Sequence, residues 1–241
     1  MHAKPFWLIV IFNLFTLPVM AQVVPADTPI YSEAATAAIR SYDSVIGDQS
    51  EIYSGIAYHI LPQGVKGSPY FGGKPFLNPA IMRYNGTWYQ NIPVLYDTFA
   101  DAMISAQRDS LYILRPDKTP DIYFSDHHFI YLAQQSGSNL APGYYDKLYA
   151  GRSEVLVKRA SSMQSRVSGQ SVEIYYENKD VIYIKKGDAY YPVSGKGSVL
   201  DFFKSKSKQL KQYLKEKQIK YGRDKEGSIV RLAEYYDQIN K

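Results

Sequence analysis

The 241-residue chain carries 28 Lys and Arg against 23 Asp and Glu, a net charge of +5, and has no cysteine. The missing cysteine excludes disulfides, thiol nucleophiles, Cys-ligated zinc, iron–sulfur clusters and the lipid-bearing cysteine of a bacterial lipoprotein. The positive balance is mild and sits mostly in one segment near the C-terminus, which removes a global case for nucleic-acid binding.

In chain order, MHAKPFWLIVIFNLFTLPVMAQVV opens with Lys4, an apolar run from Phe6 to Leu17 and a helix-breaking Pro18. Val19 and Ala21 stand at −3 and −1 of a cut after Ala21, the layout of a secretory signal peptide. The apolar run is shorter than the roughly 20 residues a spanning helix needs. Residues 1–21 are therefore expected to be a cleaved signal peptide, sending the protein to the periplasm or out of the cell. A secreted eukaryotic domain would carry disulfides more often, so export without cysteine favours a bacterial protein.

Residues 22–50 read as a Pro-containing leader followed by a short helix, Ser32 to Ser44, with Ser32 as its cap and Ala34, Ala35, Ala37, Ala38 and Ile39 inside it. Residues 51–197 read as an antiparallel β domain. IYSGIAYHIL is aromatic and β-branched, and PQGVKGSPYFGGKPFLNP is a long Gly- and Pro-rich loop. Asn85-Gly86 lies between two apolar-aromatic runs, a strong hairpin signal that outweighs its fit to a glycosylation sequon. Further reversals are expected at Arg108-Asp109, Ala150-Gly151, Asn178-Lys179 and Lys186-Gly187-Asp188, although Asp101 to Ala106 also admits a helix. Residues 198–241 give two amphipathic helices. Val199, Leu200, Phe203, Leu210 and Leu214 mark the first, RDKEG interrupts, and Ile229, Leu232, Ala233, Tyr236 and Ile239 mark the second.

The expected fold is mainly β, with α at the ends: an antiparallel meander forming an open barrel or curved sheet, a short N-terminal helix and a C-terminal helical pair packed on the sheet. A transmembrane barrel is rejected, because its strands need about 9–11 residues and most runs here are shorter. The 23 tyrosines fit sheet faces that are only partly covered; a stacking surface for sugar or peptide is the sharper alternative.

The phrases EIYSGIAYHI, KGSPYF, MRYNGTWYQNIPVLYD, GYYDKLYAGRSEVLVKR and SKQLKQYLKEKQIKYGRDKEGSIVRLAEYYDQI resemble a recurrent type of exported, β-rich hypothetical protein of Gram-negative bacteria. The resemblance runs from about Glu51 onward. It implies a β-rich envelope protein with a Lys-rich helical tail and carries over no catalytic residue.

DIYFSDHHFIYL, Asp121 to Leu132, holds two of the four histidines. As one strand it would put His127 and His128 on opposite faces, with Asp126 and His128 beside Ile122, Phe124, Ile130 and Leu132. As a strand-turn-strand it would place a turn at Ser125-Asp126-His127. Neither supplies a ligand spacing typical of a metal centre. The chain also lacks a Gly-x-Ser-x-Gly elbow, a His-Glu-x-x-His motif, a phosphate loop and a dinucleotide fingerprint. No catalytic residue, cofactor or metal is therefore expected. The favoured function is a non-catalytic binding or accessory module of the envelope. The alternative is a hydrolase of envelope or extracellular glycans using a carboxylate pair drawn from Asp97, Asp101, Asp121 and Asp126.

One surface patch stands out. Seven lysines against two acids fall within residues 201–220. Lys204–Lys208 and Lys211–Lys215, read as i, i+4 pairs, repel in a helix. These four form a candidate docking patch for an acidic envelope partner or an anionic surface.

Overall fold

The computed structural model describes residues 51–60, 64–73, 75–134, 139–169 and 171–240. The expected signal peptide and the Ser32–Ser44 helix lie outside the described residues.

Thirteen strands form the body of the fold: β1 (Ile56–Ala57), β2 (Asn78–Tyr84), β3 (Thr87–Asp97), β4 (Ala102–Gln107), β5 (Ser110–Ile113), β6 (Asp121–Phe124), β7 (His127–Leu132), β8 (Gly143–Tyr149), β9 (Val155–Lys158), β10 (Ser161–Ser168), β11 (Ser171–Asn178), β12 (Val181–Lys186) and β13 (Ala189–Val193). Eleven make one open antiparallel sheet in the order β1-β5-β4-β3-β2-β6-β7-β8-β9-β12-β13, and β10 pairs only with β11. The sheet is two meanders back to back. One runs outward from β2 to β5 and the other from β6 to β9, and they meet where β2 pairs with β6.

Local chemistry sets the hairpins. Asn85 and Gly86 both have positive φ, 49° and 87°, the type I′ turn whose twist matches its flanking strands. Arg108, at φ 52°, turns β4 into β5, so Asp101 to Ala106 is not a helix: the first of these residues is a turn and the rest are strand. In β3, Asn91 at φ 58° is the extra residue of a bulge opposite β2. It lets Tyr89 and Ile92, an odd number of residues apart, both face the core.

The C-terminal helical pair covers one end of the sheet, and its first member is broken. α1 (Lys196–Phe202) is followed by a 3₁₀ turn at Lys204–Lys206 and then α2 (Ser207–Glu216). The expected helix is interrupted at Phe203, whose φ/ψ of −91°/34° is not helical. The kink buries the ring, which is 1% exposed. α3 (Lys225–Ile239) begins inside the stretch read as an interruption, because Asp224 caps it by accepting from the Gly227 N–H at 2.9 Å.

The two largest core clusters lie on one face of the sheet. Register pairs Phe129 with Asp146, Asp146 with Val157, and Val157 with Ile182, so these side chains share a face. Towards β2 that face carries an aromatic cluster of Met82, Tyr96, Ile122, Phe129 and Tyr144. Towards β13 it carries Val155, Ile182 and Ile184 under Leu210, Ile229 and Leu232 of the helices. Asp146 stands at the seam between the two.

Candidate functional site

DIYFSDHHFIYL is a tight hairpin. Ser125 and Asp126 have φ of 51° and 61°, a second type I′ turn, and Phe124 pairs with His127 and Tyr123 with His128. This corrects the single-strand reading of faces. A two-residue reversal shifts the phase, so His127 joins Ile122, Phe124 and Phe129, while His128 joins Tyr123, Asp121 and Ile130; Asp126 belongs to the turn. The histidines reach different carboxylates. His127 Nδ1 donates to Asp146 Oδ2 at 2.7 Å, and His128 Nε2 lies 3.2 Å from Asp121 Oδ1. Among the described residues no three His, Asp or Glu side chains gather to hold a metal ion.

Asp146 is fully buried, and the guanidinium that answers it is Arg159, 6% exposed, just past β9. Arg159 Nε and Nη2 donate to Asp146 Oδ2 at 3.0 and 2.5 Å. Nη1 reaches Asp180 at 3.0 Å, and Nη1 and Nη2 reach the Glu226 carboxylate at 2.6 and 2.8 Å. One cation thus ties β8, the β11–β12 connection and the first turn of α3, where Glu226 also favours the helix dipole. Burial alone would lower the Arg159 pKa, but hydrogen bonds and charge from Glu226 and Asp146 outweigh it and hold the pKa above its usual value.

Phe71, from the Gly- and Pro-rich loop, covers this network. Its ring centroid is 4.9 Å from that of His127 in an edge contact, and the Arg159 guanidinium lies 5.6 Å over it. A cleft of about 810 Å³ opens between that loop and the base of the β10–β11 hairpin, with Phe71, Thr98, Arg159, Tyr176, Asn178 and Asp180 in its walls. A second, of about 670 Å³, opens at the β6–β7 turn and is walled by Asn91, Tyr123, Asp126, His127, His128 and Lys147. At its lip Tyr123 stacks on His128, centroids 4.0 Å apart and planes 9° from parallel, with Trp88 6.0 Å away.

The remaining aspartates are engaged elsewhere. Asp97, fully buried, accepts from the Tyr58 hydroxyl at 2.8 Å and from the Phe99 and Ala100 amides, closing the turn after β3. Burial, with hydrogen bonds to Tyr70 and Asp97, raises the Tyr58 pKa. Asp101 accepts from Tyr96 at 2.7 Å and from Lys158 at 2.5 Å. Of the four lysines, Lys204 lies in the 3₁₀ turn, so Lys204–Lys208 is not a helical i, i+4 pair. Lys208, Lys211 and Lys215 line the exposed side of α2, opposite buried Leu210 and Leu214.

Comparison with protein-family models, curated proteins and solved structures returned no match. The geometry therefore carries the functional reading.

Asp121 makes a pH-dependent contribution. The His128 hydrogen bond, opposed by burial and aided by Arg83, holds its carboxyl below the usual range. A depressed folded pKa gives stability that is present above the unfolded value of about 3.9 and lost as pH falls through the folded one. Urea midpoints of the parent and Asp121→Asn, measured from pH 7 down to pH 3, are expected to differ at neutral pH and to converge below about pH 4.

Proposed function

We propose that the protein is an exported, non-catalytic binding or accessory module of the bacterial envelope, of the β-rich, Lys-tailed type its sequence resembles. One observation carries this reading: Arg159 in the wall of the first cleft and the aspartates Asp97 and Asp101 are closed on partners within the protein. Arg159 is shared by three carboxylates, and Asp97 and Asp101 are held by tyrosines, amides and a lysine. Acid–base catalysis draws on a group poised to exchange protons with substrate; here the burial and pairing fix shape instead. Lys208, Lys211 and Lys215, with Lys204 nearby, suit an anionic envelope surface.

The rival reading, a glycan hydrolase, gains one specific feature in His127, oriented by Asp146 as a general base would be. Incubation of the purified protein with envelope and extracellular glycans, read by release of reducing ends, separates the two. No turnover above background is expected. Turnover that disappears in His127→Gln would replace the binding reading with the enzymatic one.

A further inference from the structure

The lip of the cleft at the β6–β7 turn has a chemistry of its own, and a ligand role for it rests on the protein being a binding module. Tyr123 is 40% exposed although it lies on an interior strand, and His128 is stacked flat against it. Ile81, its cross-strand partner on β2, is 38% exposed, and Trp88 stands beside it. Exposed aromatic and aliphatic surface in the middle of a sheet, fixed on one side by a stacking neighbour, is apolar area already ordered for contact, so a ligand meets little further entropy loss there.

The rim is polar but electrically balanced. Just outside the wall Arg83 pairs with Asp121 at 3.3 Å and Asp121 meets the lining His128, while Asn91, Asp126 and Lys147 stand in the cleft wall itself. With Asp146 answered by Arg159, Arg83 and Lys147 balance Asp121 and Asp126 and leave no net field to select an anion or a cation, yet they offer donors and acceptors side by side. A backbone-pairing peptide is disfavoured by topology. β6 is flanked by β2 and β7, and β7 by β6 and β8, so neither strand has an open edge to which another chain could add.

A pyranose ring matches both features: its axial C–H groups make an apolar face for an aromatic ring, and its hydroxyls radiate in the ring plane towards paired donors and acceptors. We infer that this cleft binds a neutral pyranose-based glycan, with one sugar ring stacked on Tyr123 and its hydroxyls bonded to the Asp121–Arg83 side of the rim.

The test is calorimetric titration of the purified protein with gluco-, manno- and xylo-oligosaccharides, with polygalacturonate and a mixed peptide pool as contrasts. Trp88 fluorescence is followed in parallel, since the only other tryptophan, Trp7, lies in the expected signal peptide. At least one neutral oligosaccharide is expected to bind and to shift Trp88 emission. Tyr123→Ala is expected to weaken that binding at least tenfold, Tyr123→Phe to retain it, and Asp121→Asn to weaken it several-fold. Absence of neutral-glycan binding at millimolar ligand, binding confined to polygalacturonate or peptides, or binding indifferent to Tyr123→Ala overturns the inference. In the second and third cases the binding-module reading stands, whereas cleavage of an oligosaccharide during the titration overturns that reading itself.

Discussion

Replacing Arg159 with methionine is expected to lower the free energy of unfolding by about 3–5 kcal/mol, the range for removing one partner of a buried ion pair. For a chain of this size that is a fall of roughly 10 °C in Tm. The reason lies with Asp146 more than with the arginine. Asp146 has no exposed surface, its Oδ1 has no hydrogen-bond partner among the described residues, and its Oδ2 depends on Arg159 and His127. Without the guanidinium, a carboxylate is left in the seam between two apolar clusters. Asp180 and Glu226 suffer less, because each is about one-third exposed and water can replace the lost bonds. One measurement checks this. In urea unfolding, the Arg159→Met and Asp146→Leu double variant should regain much of what the single variant loses, since replacing both partners removes the unpaired charge. A single-variant loss below about 1 kcal/mol, the scale of a surface pair, would mean that Asp146 is hydrated and the junction is not a keystone.

How much of the fold and the site was legible in the sequence depends on range. The antiparallel sheet could be read because its turns are local: Asn85-Gly86, Arg108-Asp109 and Gly187-Asp188 carry their own backbone preferences. β10 could not. SSMQSRVS holds two apolar residues in eight, and the strand exists because β11 pairs along its whole length. The hairpin is anchored at its base, where Lys66 exchanges backbone bonds with Ile174 and Tyr176 and Thr98 bonds Ser161. The phase of the two histidines was a near miss, decided by whether the turn took two residues or three. The Asp146–Arg159 junction lay beyond reach, because its members come from residues 146, 159, 180 and 226 and only the register of β8, β9 and β12 brings them together. A signal was present all the same: Asp146 is a carboxylate in the middle of GYYDKLY, a position that otherwise reads as buried strand. Phe71 could not be ranked above the other aromatics of its loop until its contacts with His127 and Arg159 were seen.

The second large effect is expected at Phe203. Its truncation to alanine should cost about 3–5 kcal/mol, as for other fully buried phenylalanines. The ring stacks on Tyr236 of α3 at 4.2 Å and meets Phe202 edge-on at 4.8 Å, so it is the point where α1, α2 and α3 converge. Its backbone also makes the break that lets α1 and α2 take different directions, and alanine, the best helix former, would favour a straight continuation over the native kink. Cavity and backbone preference thus act in the same sense. The sheet should outlast the helices. α3 stays pinned at one end by Glu226 to Arg159, and at the other by Asp237, which accepts from Tyr149 at 3.1 Å and from the Ser153 amide at 2.9 Å. α1 and α2 rest chiefly on apolar contacts around Phe203, Leu210 and Leu214. Limited proteolysis of Phe203→Ala should therefore cut first between residues 196 and 223, at protease levels the parent resists, and leave a fragment containing β2 to β13. Cleavage beginning in the β2–β9 meanders instead would show that the helical layer and the sheet unfold as one unit, and that Phe203 stabilises the whole rather than the layer.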